Sequence, residues 1–428
     1  MIRGDGILLY IDPGTGSMLF TILLGVIGTG MFFAQKLMMK IKFRLSGGKA
    51  DVSEETLPYV IFSDSKTYWT TFKPICDEFE SRGIDVAYWT ASPDDPALKE
   101  QYEHVKCEFI GEGNKAFAKL NLMSADICLA TTPGLDVYQW KRSKRVKYYA
   151  HVMHSAATTL LYRMFGMDYY DAVLVTGDFQ TKEVRELEEV RNDPRKELCV
   201  VGCPYLDGLK ERLDNTENAG DDNPDKERTI LLAPSWGDAA ILKLYGEKII
   251  EALVNTGYNI IIRPHPQSMR SEKDMMDKLM GRYPESDRLK WDFSPDNFDS
   301  LNAADLMITD FSAVMLDFAL VFDKPVMYAE YELDKSVYDA AWIDHKLWQE
   351  ETFPKLGAPL KEEDFGRLKE IIDETITSNI YADARVKAKG EAWAHIGESA
   401  KQIVDFLVKK SEELKIETQT EEEEKKIA

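Results

Sequence analysis

The chain has 428 residues, 44% of them hydrophobic and 30% charged, and a formal net charge of -21. That length allows roughly two to three domains with ample core. The charge excludes a general nucleic-acid binder, which needs a basic face, and leaves any anionic substrate to be held by local donors.

Met18 to Ala34, MLFTILLGVIGTGMFFA, carries no charge. Its length is at the short end for a membrane helix. Lys36, Lys40, Lys42 and Arg44 follow it, whereas Arg3 is balanced by Asp5 and Asp12. This bias places the C-terminal side in the cytoplasm. A cleaved signal peptide would carry its charges before the apolar run, with small residues after it. Residues 1–45 are therefore expected to form a single-pass anchor in the cell membrane. Residues 46–56 form a polar linker.

Strands and helices then alternate. Strands are predicted over 59–62, 84–89, 105–110, 126–130, 146–153, 172–175 and 198–201. Helices are predicted over 67–82, 114–123 and 179–191, the first ending at Gly83. This makes 57–213 one Rossmann-like domain. A loop rich in Asn, Asp, Gly and Pro spans 214–228, and the alternation restarts. Strands fall at 229–233, 259–263 and 289–292, with helices at 239–255 and 269–282. Helices over 362–410 close a second Rossmann-like domain, 229–410. Residues 411–428 read as an acidic, solvated tail. The fold class is α/β, two Rossmann-like domains facing a cleft, where ligands usually bind. The five cysteines form no CxxC pair and read as small buried hydrophobes in a reducing compartment. Neither a metal nor a cofactor is implied.

The second domain centres on LMITDFSAVMLDFALVFDKPVMY, Leu306 to Tyr328. An apolar strand ends at Thr309 and Asp310, Ser312 is a good N-cap, and Pro325 opens another strand. Such a unit aims unpaired backbone N–H groups out of the carboxyl edge of a sheet, a site for an anion such as a nucleotide diphosphate. Arg263 and His265, in Arg263-Pro264-His265-Pro266, stand at a similar edge and suit a phosphate. Ser235, after the strand 229–233, lies in a turn that can line the cleft. In the first domain His154 stands at the end of YYAHVMH with Ser155 starting the next turn. A histidine there suits a general base, or else a core position bonded to a carbonyl. The basic cluster KRSKRVK, 141–147, suits a solvated turn better than a lipid contact.

RPHP, ITDFSAVMLDFAL…KPVMY, GCPYLD at 202–207 and HVMHSAATT…DYYD together resemble the CDP-glycerol glycerophosphotransferases of teichoic-acid-type polymer synthesis. That resemblance implies a membrane-associated enzyme of GT-B fold. It also implies transfer of a glycerophosphate unit from CDP-glycerol, or a related CDP-polyol, to a hydroxyl of a polymeric or lipid-linked glycan, with release of CMP. His154 would be the base. Arg263 and His265 would bind phosphate, with Thr309, Asp310 and Ser312 around the diphosphate and Asp317 one turn on. Where that family shows Trp-His-Gly-Thr, this chain has Met153, His154, Ser155 and Ala156. A glycosyltransferase of the same fold, and a tethered nucleotide-binding scaffold without catalysis, are the alternatives.

Overall fold

The structure is a computed structural model that describes residues 56–216, 227–331 and 333–427. The expected membrane helix at 18–34 lies outside these residues. Among the described residues, no helix is long and apolar enough to cross a membrane.

Seven short runs build the first sheet: β1 (Leu57–Ser63), β2 (Val86–Thr90), β3 (Val105–Phe109), β4 (Ala125–Ala130), β5 (Val146–Val152), β6 (Ala172–Val175) and β7 (Glu197–Val200). They run parallel in the order β3-β2-β1-β4-β5-β6-β7. The inner strands are near-continuous apolar runs because helices cover both faces. Edge strand β3 instead exposes Lys106 and Glu108, which discourages pairing with another chain.

The second sheet holds β8 (Thr229–Ala233), β9 (Asn259–Ile262), β10 (Leu289–Trp291), β11 (Leu306–Thr309), β12 (Val326–Ala329) and β13 (Gly357–Leu360). All run parallel, in the order β10-β9-β8-β11-β12-β13. Each sheet has a point where the strand order reverses, β1 beside β4 and β8 beside β11. In open parallel sheets that is where ligands sit.

Three expectations are revised. Helix 239–255 is two helices, Ile241–Tyr245 and Glu247–Asn255, because the chain turns at Gly246 with φ of 54°. The last long helix expected within 362–410, from Ala382 to Lys410, is also broken, into Ala382–Ala392 and Ser399–Ile427. The second of these belongs to the first domain's core: Ile403, Val404 and Leu407 pack with Ile61, Phe72 and Phe79. It also runs on through the predicted frayed tail, with Leu414 against the same core.

The chain's return to the first half is fixed by GCPYLD. The Asp207 carboxylate accepts from Trp393 Nε1 at 2.8 Å, from the Gly397 N–H at 2.8 Å and from the Ser399 N–H at 3.0 Å. Gly202 has φ of 89°, and a Cβ there would meet Ala394 O at 2.3 Å and Ser399 Oγ at 2.4 Å. Gly202→Ala is therefore expected to cost about 2 kcal/mol or more, from backbone strain and from displacing the returning chain. Urea unfolding of the variant beside the native protein measures it.

Candidate functional site

A cavity of about 770 Å³ opens between the two halves. From the first half it is lined by Thr67 to Thr71, Lys73, His154, Ser155 and Tyr205, among others. From the second half come Pro234, Arg263, His265, Asn297, Ser312 and Asp317.

His154 follows β5, and its Nδ1 lies 2.7 Å from the buried hydroxyl of Thr131, which follows β4. The Tyr68 ring covers it at 4.8 Å between centroids. Burial lowers the imidazole to about 4. At neutral pH it is therefore an uncharged base, with Nε2 as the nitrogen left for a substrate proton. His151 is fully buried against Tyr162 and Tyr170 and is a core residue.

The loop after His154 is held by polar side chains from helix Asp178–Arg191. Gln180 Nε2 donates to Ser155 O at 3.2 Å and to Ala157 O at 2.7 Å. The Glu183 carboxylate accepts from Thr158 Oγ1 at 2.6 Å, the Thr159 N–H at 2.8 Å and Thr159 Oγ1 at 3.0 Å. Ser155 Oγ accepts from the Ala157 N–H at 3.2 Å. Side chains thus fix this loop where a glycine would leave it free to bend.

On the second half, His265 Nδ1 accepts from the Gln267 N–H at 3.1 Å. Burial lowers this imidazole, with Glu272 opposing. With Nδ1 accepting, Nε2 is the nitrogen left to donate. Arg263 borders the cavity but is already engaged, with Asp292 at 2.5 Å and Ser294 O at 2.7 Å. Burial works to raise Asp292, yet hydrogen bonds from Ser300 and Ser294 and the Arg263 guanidinium hold it at about 2.

The Thr309–Asp310–Ser312 element divides in two. Thr309 is fully buried and donates to Ala233 O at 2.6 Å. Asp310 is fully buried too, accepting from the Ser235 N–H at 3.0 Å and the Ile241 N–H at 2.9 Å. Neither borders the cavity, nor does Ser235, which is 6% exposed. They tie β8 to β11 through these bonds, whereas direct contact with a diphosphate was expected of all three. Ser312 does border the cavity. Its side chain caps nothing: its carbonyl accepts from the Met315 N–H at 3.1 Å, and the hydroxyl is left to a ligand.

Asp317 opens a π-helical turn, Asp317–Phe322, and borders the cavity. Burial raises its carboxyl to about 7, with a hydrogen bond from Tyr205 opposing. Tyr205 Oη donates to Asp317 Oδ2 at 3.2 Å and accepts from Asn297 Nδ2 at 2.8 Å. Tyr205 lies on helix Pro204–Asn215 of the first half, so this chain of bonds crosses the cleft. Gln349 crosses it as well, donating from Nε2 to Phe311 O at 3.1 Å and accepting from the Thr158 N–H at 3.4 Å. Sequence reasoning passed over Tyr205, Gln180, Glu183 and Gln349. Gln180, Glu183 and Leu187 recur at helical spacing on one buried face, and polar groups within an apolar stripe are the signal that was available. The basic cluster is a solvated turn with partners, Arg142 to Asp171 at 2.8 Å and Lys147 to Asp126 at 2.9 Å.

Two parallel α/β sheets around a shared cavity define a fold of GT-B type. A wall teichoic acid polymerase, TagF, superimposes with a TM-score of 0.59 at 15% identity, over 89% of this chain and 98% of that one. A UDP-GlcNAc 2-epimerase from Neisseria meningitidis gives 0.53 at 12% identity, over 82% and 100%. Residues 145–348 match the family model of CDP-Glycerol:Poly(glycerophosphate) glycerophosphotransferase. A teichoic acid glycerol-phosphate primase of Bacillus spizizenii (strain ATCC 23059 / NRRL B-14472 / W23) is 23% identical over 174 residues, 39% of this chain. That match spans 41% of the primase. Over residues 145–348, this chain is similar to the CDP-glycerol glycerophosphotransferase family.

Burial raises Glu183 from 4.5 to about 7, against the hydrogen bonds of Thr158 and Thr159. The stability this group contributes is full below 4.5 and lost as pH rises through about 7, because the folded state holds its proton longer. Glu183→Gln removes that dependence. The melting temperature of the variant should accordingly gain on the native protein between pH 5 and pH 8, by differential scanning calorimetry at both.

Proposed function

We propose that this protein transfers glycerophosphate, or a related polyol phosphate, from a CDP-activated donor to an acceptor hydroxyl, releasing CMP. The observation that carries the proposal is the pairing of His154, an uncharged base, with phosphate donors across one cavity. The acceptor is a glycan of a cell-surface polymer or its lipid-linked precursor, and Met18 to Ala34 anchors the chain with its catalytic domains on the cytoplasmic side.

Donor diphosphate lies against the second half, taking hydrogen bonds from Ser312 Oγ and His265 Nε2–H and the charge of Arg263. Asp317, half protonated near neutrality, avoids the repulsion that a fixed carboxylate would impose there. The acceptor oxygen attacks the phosphorus that bears the polyol while its proton passes to His154 Nε2. The bond from that phosphorus to the bridging oxygen breaks, and CMP leaves with that oxygen and the electron pair. Fixed donors at the cavity wall stabilise the charge that CMP carries away.

An imidazole near 4 is a weak base, and proton transfer works best with a pKa near the working pH. Bound diphosphate corrects this, since a nearby negative charge favours the imidazolium. Two outcomes follow for detergent-purified protein assayed for CMP with CDP-glycerol, CDP-ribitol and nucleotide sugars. His154→Ala should lower acceptor-dependent CMP release by about 10²–10⁴-fold with CDP binding retained. Turnover from a nucleotide sugar alone refutes the phosphotransfer, and turnover indifferent to His154→Ala refutes the base. In the native protein the acid limb of kcat/KM should fall near pH 4, and that of kcat at higher pH, because kcat reports the donor-bound enzyme.

A further inference from the structure

The phosphate-binding groups of the cavity lie on the second half and account for a donor, but not for what presents the acceptor hydroxyl to His154. The first sheet's own reversal point, between β1 and β4, lies beside that histidine. Thr131, its hydrogen-bond partner, ends β4 there. β1 and β4 are in register at Phe62 and Ala130. Two residues further along, Asp64 stands level with Thr132, at the carboxyl edge of the sheet.

Asp64 is open to solvent, and desolvation by its surroundings raises its carboxyl. Its charge is felt by Tyr68 and by Tyr162, the two rings that flank His154. Nothing structural employs this group. The neighbouring cation, Lys66, pairs with Asp94, and no ion pair to Asp64 is formed among the described residues. The Thr132 hydroxyl is close enough to oppose that rise, and it is itself buried with no hydrogen bond of full geometry. Nor does Asp64 act through the base, because burial alone accounts for the lowered His154. A carboxylate without an ion pair, beside the Thr132 hydroxyl at a sheet edge of the kind that binds ligands, has the acceptor groups that bind the hydroxyls of a polyol or sugar.

We propose that Asp64, with Thr132 and the Tyr68 ring, forms the acceptor subsite and recognises a hydroxyl adjacent to the one that reacts. A vicinal diol suits it: one hydroxyl donates to the Asp64 carboxylate while its neighbour reaches His154 Nε2. The acceptor enters from the β1 edge, and the donor occupies the 770 Å³ cavity. Asp64 is thus a specificity-determining residue that touches substrate without moving a proton. This assignment rests on the transfer reaction proposed above.

The test compares full-length native protein with Asp64→Asn and Asp64→Glu, in detergent. Asp64→Asn should raise the KM for a glycan acceptor by about 10- to 100-fold, the loss of a hydrogen bond to a charged group. CDP binding and acceptor-independent CMP release should stay unchanged, which a general structural defect would not allow. An unchanged acceptor KM, or an equal loss of CDP binding, overturns the subsite. A second readout separates it from the parent reaction: binding of glycerol 3-phosphate, followed by saturation-transfer NMR. Signal in the native protein that Asp64→Asn abolishes supports the subsite even if no CDP-polyol is turned over, a result that would refute the transfer alone. Glycerol 3-phosphate binding equally to both proteins overturns the subsite.

Discussion

The joint between the two sheets is the constraint on which the site depends. Helix Pro204–Asn215 of the first half lies against the turn Asp317–Phe322 of the second, and their buried residues form one core: Cys203, Leu206 and Leu209 with Met315, Phe318 and Phe322. Phe179 stacks on Trp348 across the same boundary, with centroids 4.0 Å apart. A second seam lies at Arg191, whose guanidinium meets Asp339 at 3.0 Å beside the apolar cluster of Leu160, Leu187 and Ile343. Burying such a seam removes apolar surface from water at about 25 cal/mol per Å², so the halves keep a fixed spacing. That spacing lets His154 and the phosphate donors address one substrate from opposite walls. Where two Rossmann-like units meet through loops alone, domain motion is the default expectation; here the packed seam limits it.

Electrostatics in this acidic protein are local. Each cation at the cavity has a carboxylate partner: Lys73 with Asp77 at 2.8 Å, Arg212 with Asp296 at 2.5 Å and Arg263 with Asp292 at 2.5 Å. The two exposed pairs, Lys73–Asp77 and Arg212–Asp296, are worth about 0–1 kcal/mol each, whereas Arg263 and Asp292 are only 15% and 16% exposed and hold each other more firmly. The uncharged donors, Ser312 Oγ and His265 Nε2–H, need no such pair to be broken. An anion bound as proposed would meet mainly dipoles already in place, beside the buried clamp of Asp310 on Ser235 and Ile241.

Much of the architecture was legible because buried parallel strands announce themselves as apolar runs. β8 and β11 were bounded almost to the residue. β13, GAPL, was passed over because Gly357 and Pro359 read as a turn; Gly357 is there because a Cβ would meet Val326 O at 2.0 Å. In the site, a residue's edge position was readable and its side-chain role was not. Thr309, Asp310 and Ser312 sit together in sequence, but the strand ends at Thr309, and the turn after it buries Thr309 and Asp310 while bringing Ser312 to the cavity. Asp64 was missed because Ser-Asp-Ser after a strand looks like any turn, and only the neighbouring strands make it part of an edge. The exchange of glycine for Ser155 became intelligible only with Gln180 and Glu183 in view, since the compensation lies on a helix distant in sequence.

The return of helix Ser399–Ile427 to the first half has a consequence for synthesis on the ribosome. The core of the first sheet lacks Ile403, Val404 and Leu407 until the end of the chain emerges. Contacts of such sequence separation form late, after the second sheet has its own strands complete. The nascent first half must therefore wait with an apolar face uncovered. A chain truncated before Ser399 would leave that face exposed for good.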